Sequence, residues 1–145
     1  MNLRVVHVKD RAELKLAFAI REQVYIVEQQ IDRAEEFDEF DNGSEHFLAY
    51  LDNKPAGTCR YRTTDAGIKL ERFATIEGFR GRGVASALME TMTKYIELSF
   101  SEQKKLYLNA QVSAMPLYAK FGFQSEGPIF LECNIAHQKM VRLLR

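Results

Sequence analysis

The sequence predicts an α/β (α+β) fold, a mixed sheet of six to seven strands with about four helices in the order β-α-β-β-β-α-β-α-β-β, and three observations carry that prediction. A stretch of polar-apolar alternation opens the chain and leads into an amphipathic helix with a start signal. Three strand-like stretches then follow one another with turn residues between them. Finally, a long apolar helical stripe lies between two strands, the pattern of a parallel crossover.

The opening segment, Met1 to Val8, alternates as a strand from Leu3. Asp10-Arg11-Ala12-Glu13 resembles a capping box with Asp in place of Ser or Thr, and Leu14, Ala17, Ile20, Val24 and Val27 recur on one face of the helix it starts. That helix is expected to end near Gln30. From Asp32 to Glu45 the chain is rich in acid, with Glu35, Glu36, Asp38, Glu39 and Asp41 around Phe37 and Phe40, and reads as a solvated loop with buried aromatic anchors. His46 to Leu51, Lys54 to Thr63 and Gly67 to Thr75 form the meander, with Asp52-Asn53 and Thr64 to Gly67 as turns. Ala85, Leu88, Met89, Met92, Tyr95 and Ile96 share one face of a helix from Val84 to about Phe100. A strand from Lys105 to Ala110, a short helix from about Ala114 to Phe121, and strands near Gln124 to Phe130 and His137 to Leu144 close the fold.

At 145 residues, with no Pro/Gly/Ser-rich linker, the chain reads as one domain over 1–145 able to bury roughly 70% of its unfolded surface. Lysine plus arginine and aspartate plus glutamate number 20 each, so no net positive charge draws the chain to nucleic acid. No apolar run nears the ~18 residues of a membrane helix and no basic leader precedes one, which leads to the expectation of a soluble cytoplasmic protein without a membrane partner. Cys59 and Cys133 are the only cysteines, too few for a disulfide framework, and with the three histidines they show no metal-ligand spacing; no metal is expected.

The chemistry concentrates in Phe79-Arg80-Gly81-Arg82-Gly83-Val84-Ala85-Ser86, between the third meander strand and the long helix. Small residues at a helix start let backbone amides approach an anion at the positive end of the helix dipole. The Gly-Lys-Ser/Thr ending of a nucleotide-hydrolysing loop is missing, and the loop follows a meander rather than opening a βαβ dinucleotide unit. The plain alternative is a tight strand-to-helix turn.

Arg80-x-x-Gly83-x-Ala85 matches the Arg/Gln-x-x-Gly-x-Gly/Ala signature of the GNAT superfamily of N-acetyltransferases, which the chain resembles. The likeness extends through Lys69 to Thr75, Leu108 to Gln111, Leu117 to Phe123, Phe130 to Glu132 with Ile135 and His137, and near the start Arg21 to Tyr25 with Glu28-Gln29. It is greatest to small stand-alone bacterial members of the ElaA-like or YjcF-like kind. The resemblance implies acetyl-CoA as co-substrate, its pantetheine pairing with the strand backbone at Phe73, Ala74 and Thr75. Its pyrophosphate would lie on the amides of Arg80, Gly81, Arg82, Gly83, Val84, Ala85 and Ser86, with Asn109 also on the cofactor side. Ala85 takes the place of the commoner glycine.

An ammonium must lose its proton before it attacks a thioester, a cost of ~4 kcal/mol for a free lysine near pH 7.4. Glu71 and His137 are the candidate bases. Strand alternation groups Glu71 with Lys69, Phe73 and Thr75, and its alternative role is to pair with an arginine. His137 is otherwise a structural histidine in a strand. Tyr118 precedes the segment where the superfamily commonly places a tyrosine that protonates the departing thiolate, and its alternative is packing with Met115 and Phe121. A backbone N–H at Ala74 or Thr75 is the expected oxyanion donor, and direct transfer in a ternary complex is preferred over an acyl-cysteine. Arg21, Glu28 and the acidic segment are expected to border the pocket of a small-molecule or peptide amine. Exposed sheet edges leave a homodimer open. Two other readings stand beside this one: a non-catalytic acyl-CoA-binding module, and an interaction domain with a basic patch of Arg60, Arg62, Arg80 and Arg82.

Overall fold

A computed structural model describes residues 2–100, 102 and 104–144; Met1, where the opening segment starts, lies outside the described residues. The order is β1 (Leu3–His7), α1 (Arg11–Arg21), α2 (Arg33–Glu36), β2 (Glu45–Leu51), β3 (Lys54–Thr64), β4 (Gly67–Thr75), α3 (Val84–Ser99), β5 (Lys104–Gln111), α4 (Met115–Lys120), β6 (Gln124–Glu132) and β7 (Ile135–Leu144). The mixed α/β fold and the predicted element order are thus present, with α2 added inside the acidic segment. The strands form one 7-stranded sheet in the order β1-β2-β3-β4-β5-β7-β6, antiparallel except where β4 meets β5 through the α3 crossover.

Alternation along the strands divides two packing layers. Phe47, Ala49, Ile68, Leu70, Leu106 and Leu108 face α3, whose Val84, Leu88, Met89, Met92 and Ile96 are buried against them. Leu48 and Ala74 point the other way and pack on Ala17, Ile20 and Val24 of the first helix. Each fully buried Leu- or Met-sized side chain contributes roughly 1.5–3 kcal/mol, so the α3 stripe anchors the crossover.

Asp10 caps α1 as its sequence implies, accepting from the Glu13 amide at 2.8 Å, while Glu13 Oε1 accepts from the Lys9 amide at 3.1 Å. The helix then departs from the expected register: Glu22–Glu28 is a π-helix, with the Gln29 amide donating to the Val24 carbonyl at 3.1 Å. The wider turn carries Val27 off the apolar face, where it is 59% exposed, and turns Tyr25 inward. Between β6 and β7, Cys133 and Asn134 both have positive φ, 52° and 63°, so the last two strands reach farther than predicted and close as a two-residue hairpin.

Candidate active site

Two irregularities in β4 create the site. Arg72 has φ 60°, and between Thr58↔Ala74 and Arg60↔Glu71 the strand carries one residue more than β3, a β-bulge. The bulge breaks the alternation expected of Glu71, Phe73 and Thr75: Phe73 packs with the α3 layer, whereas Ala74 joins the α1 layer. On its other side β4 pairs with β5 only at Ile68↔Leu106 and Lys69↔Tyr107, and beyond these the strands splay. Two pockets meet in the resulting gap, sharing Gln29, Phe73, Ala114 and Tyr118.

One pocket is a cleft lined by Phe73, Ala74, Thr75, Arg80, Gly81, Gly83, Val84, Ala85 and Ser86, together with Glu28, Ser113 and Leu117. Gly83 N-caps α3 at φ 83° and no side chain accepts from the first-turn amides, which leaves several donors at the positive end of a 16-residue helix. Gly81, φ 77°, and Gly83 supply a backbone conformation that other residues resist; a Cβ on either would meet nothing within 4 Å. Arg80 donates from Nε to the Thr75 carbonyl at 3.0 Å and from its two terminal nitrogens to both Glu28 carboxylate oxygens at 2.6 Å. That hydrogen-bonded pair lowers the Glu28 pKa. Glu28 therefore lines the cleft beside Arg80 and is not among the residues of the second pocket. Arg82 has an exposed side chain and sits in the chain between Gly81 and Gly83, which line the cleft, while Asn109 lines the other pocket.

The second pocket is lined by Tyr25, Glu35, Glu36, Glu71, Asn109, Gln111, Tyr118, Glu132, Cys133 and His137, among others. Tyr118 is 6% exposed, its ring edge meets Phe73 with centroids 5.5 Å apart, and its hydroxyl has no hydrogen-bond partner among the described residues. Burial pushes its phenol above the ordinary tyrosine range. His137, 8% exposed, stacks on Phe130 and places Nδ1 2.6 Å from the Ile135 carbonyl. A carbonyl only accepts, so Nδ1 carries a proton and Nε2, 3.7 Å from a Glu132 carboxylate oxygen, is the ring nitrogen that faces the pocket groups. Tyr25, part of the segment near the start that carries the resemblance but not one of the expected site residues, donates its hydroxyl to the Phe73 carbonyl, on the strand where pantetheine was expected to pair. Gln111 donates to Gln29 at 3.0 Å and ties the end of the π-helix to β5. Neither residue has a spacing signal, because each acquires its place through the π-helix or the splay.

The acidic segment is a wall of this pocket and is solvated only in part, since α2 forms within it and two of its acids are buried. Glu36 is 3% and Asp41 8% exposed, while the expected aromatic anchor Phe40 is 41% exposed, its ring beneath Arg62. Arg21, 1% exposed, donates to Glu36 at 2.8 Å and Asp41 at 2.6 Å; Arg60, fully buried, reaches Asp41 at 2.6 Å, Asp38 at 2.9 Å and Glu71 at 2.9 Å. Arg21 is thus a buried clamp and cannot touch an acceptor, which corrects its expected role. Arg60 and the Glu71-bound Arg62 likewise offer no exposed basic patch.

Glu71 also changes role. Burial alone would raise its pKa, but Arg62, Arg60 and Lys69 outweigh burial and hold it down to about 2. A proton moving from an amine of pKa ~10.4 to such a carboxyl climbs on the order of 10 kcal/mol, so Glu71 is a fixed charge and not the base. Burial is the largest influence on Glu36 and raises it despite Arg72 and Arg21. Cys59 is buried with its thiol pushed well up, Cys133 is exposed with its thiol raised to about 11, and neither suits an acyl-enzyme. Among the described residues no group of three His, Cys, Asp or Glu side chains could hold a metal ion, and no helix is long and apolar enough to cross a membrane.

Comparison with known proteins places this architecture. The family model described as the acetyltransferase (GNAT) domain matches residues 17–144. The uncharacterized N-acetyltransferase YjcF of Bacillus subtilis is 36% identical over 142 residues, 97% of this chain and 99% of that protein. In fold, Escherichia coli ElaA superposes with a TM-score of 0.83 at 22% identity, covering 97% of this chain and 98% of that one. A GNAT family acetyltransferase from Elizabethkingia anophelis, solved with acetyl-CoA bound, superposes with a TM-score of 0.70 at 17% identity, covering 98% and 96%.

Proposed function

This chain belongs to the GNAT acetyltransferase family, and from that premise we propose that it transfers an acetyl group from acetyl-CoA to a primary amine by direct attack in a ternary complex, within a single domain over 1–145. The observation that carries the reading is the uncapped N-terminus of α3 opening on the cleft that also holds Phe73, Ala74, Thr75 and Arg80. Its amides suit a pyrophosphate, and the β4–β5 gap leads from there to Tyr118. The Elizabethkingia relative, which binds acetyl-CoA, supports the same co-substrate here.

His137 Nε2 takes the proton of the incoming ammonium, either directly or through water, because its other nitrogen is committed to Ile135. The amine nitrogen then bonds to the acetyl carbonyl carbon while an N–H of Ala74 or Thr75 on the splayed strand meets the developing oxyanion. As the carbon–sulfur bond breaks, the unpartnered Tyr118 hydroxyl gives its proton to the departing thiolate; the second proton of the attacking nitrogen, shed as the amide forms, returns to the phenolate through water, while His137 releases the first to solvent. Burial favours the protonated phenol that this step requires.

Calorimetric titration with acetyl-CoA tests the reading, alongside a Gly83→Glu variant shown by circular dichroism to be folded. Micromolar binding by the native chain and its loss in the variant are expected. Failure of the folded native chain to bind would overturn the assignment.

A further inference from the structure

Beyond Lys69↔Tyr107 the edge of β4 that faces β5 has no strand to pair with, and strand geometry fixes which of its groups lie on that edge. A residue's own N–H and C=O point to one edge of a strand, and those of the next residue point to the other. The Ile76 amide donates to the Ala56 carbonyl of β3 at 2.9 Å, and a Cβ on Gly57 would lie 3.0 Å from the Ala74 carbonyl oxygen, so Ala74 and Ile76 face β3. Phe73 and Thr75 therefore turn their carbonyls into the gap, and Thr75 turns its amide there too. Of the two amides considered for the oxyanion, that of Thr75 opens on the gap and that of Ala74 on the β3 ladder.

A strand carbonyl without a ladder partner needs another donor, and both gap-facing carbonyls receive one from a side chain. The Tyr25 hydroxyl donates to Phe73, and Arg80 Nε donates to Thr75 at 3.0 Å. Both donors depend on the π-helix: Tyr25 lies within Glu22–Glu28, and Arg80 is gripped by Glu28 at its end. The wide turn that brings Tyr25 inward thus supplies the bond a neighbouring strand would have made. Burial pushes the Tyr25 phenol well above the ordinary tyrosine range, so the donor keeps its proton. On the other side of the bulge Arg72, with its left-handed φ of 60°, is fastened to Glu36 and Asp38. Such a conformation persists only where its surroundings fix it, and Tyr25 is the side chain that fixes the gap side at Phe73. Each carbonyl keeps a second lone pair for a pantetheine amide.

We propose that Tyr25 is a positioning residue for acetyl transfer: by holding the Phe73 carbonyl, its hydroxyl keeps the bulged strand turned so that the Thr75 amide meets the thioester oxygen. This rests on the acetyl-transfer reading above. Tyr25 touches no reacting atom and acts through the backbone of β4. Without its hydroxyl the Phe73 peptide is free to rotate, and the Thr75 donor loses its aim at the developing oxyanion. The amides at the start of α3, which would hold the pyrophosphate, do not depend on that bond. Polarisation of the thioester and affinity for the cofactor should therefore separate.

Infrared spectroscopy of acetyl-CoA carrying carbon-13 at its carbonyl reads the thioester directly and needs no acceptor. Bound to the native chain, the carbonyl band is expected at lower frequency than in solution, as a hydrogen bond to its oxygen requires. Tyr25→Phe, which removes one oxygen atom, should lose most of that displacement while calorimetry gives an acetyl-CoA affinity within about twofold of native. A native-like displacement in the folded variant overturns the inference, since a residue that only fills space would leave the band where it was. Should the variant prove unfolded by circular dichroism, the native chain labelled with nitrogen-15 at threonine decides. The Thr75 amide resonance is expected to differ between the acetyl-CoA and CoA complexes, and the same position in both overturns the inference. Acetyl-CoA binding to the native chain with no displacement of the band overturns this inference alone. Absence of binding removes the acetyl-transfer reading and this inference with it.

Discussion

Arg80 grips Glu28 with both terminal guanidinium nitrogens at 2.6 Å, so the cradle at the start of α3 is tied to the π-helix by a two-pronged ion pair. Both residues line the cleft proposed for acetyl-CoA, and the side chains are 39% and 32% exposed. A pyrophosphate there competes with Glu28 for the same guanidinium. Glu28→Gln is expected to tighten acetyl-CoA binding by about threefold to fivefold at low ionic strength, since an exposed pair contributes at most ~1 kcal/mol. Calorimetry at two salt concentrations checks this; the gain should shrink at the higher one, and weaker binding by the variant at low salt would contradict it.

Tyr118→Phe removes the proposed acid and little volume. The expected result is a fall in kcat of about 10²- to 10⁴-fold with acetyl-CoA affinity nearly unchanged. Because burial raises the phenol pKa, the group stays protonated through ordinary alkaline conditions, and the native pH–rate profile should show no tyrosine limb below pH ~10. A variant with full kcat would leave Tyr118 as a packing residue.

The buried Arg21–Asp41–Arg60 cluster fastens the acidic segment to α1 and β3. Asp41→Asn keeps the shape but leaves two buried guanidinium groups short of charge, and a loss of roughly 3–5 kcal/mol is expected in urea denaturation. Arg33→Ala serves as the comparison, because its pair with Glu22 is exposed and should contribute less than ~1 kcal/mol.

Stability should fall in acid. For Asp38, burial is outweighed by Arg60 and Arg72, which hold the pKa down to about 2, as the cations around Glu71 hold that group. Carboxyls depressed in the folded state stabilise it above their unfolded values of ~3.9 and ~4.3, and this contribution disappears as the pH drops from ~4.5 toward 2. Glu36, shifted upward, acts in the opposite sense, since its protonation relieves a buried charge. Urea midpoints measured across this window should decline, and Glu71→Gln should flatten the decline while lowering the plateau.

Local signals carried most of the fold and one wall of the site. Alternation, the Asp10 cap, the Asp52-Asn53 turn and the α3 stripe depend on residues close in sequence, as does the glycine-bearing loop that starts α3. These features follow from backbone sterics and hydrophobic period, which a sequence displays directly. What lies beyond them depends on which groups meet across the sheet. The buried fate of Glu36, Asp41 and Arg60, the neutralisation of Glu71 by three cations, the burial of Arg21 and the pairing of Glu28 with Arg80 are all matters of partner choice between distant segments. The sequence by itself determined the strand and helix order and the glycine-bearing loop that starts α3. Only the tertiary structure decided which charges are spent on each other and which remain for a ligand, because an ion pair's worth is set by distance and burial, and neither is written in the spacing of residues along a chain.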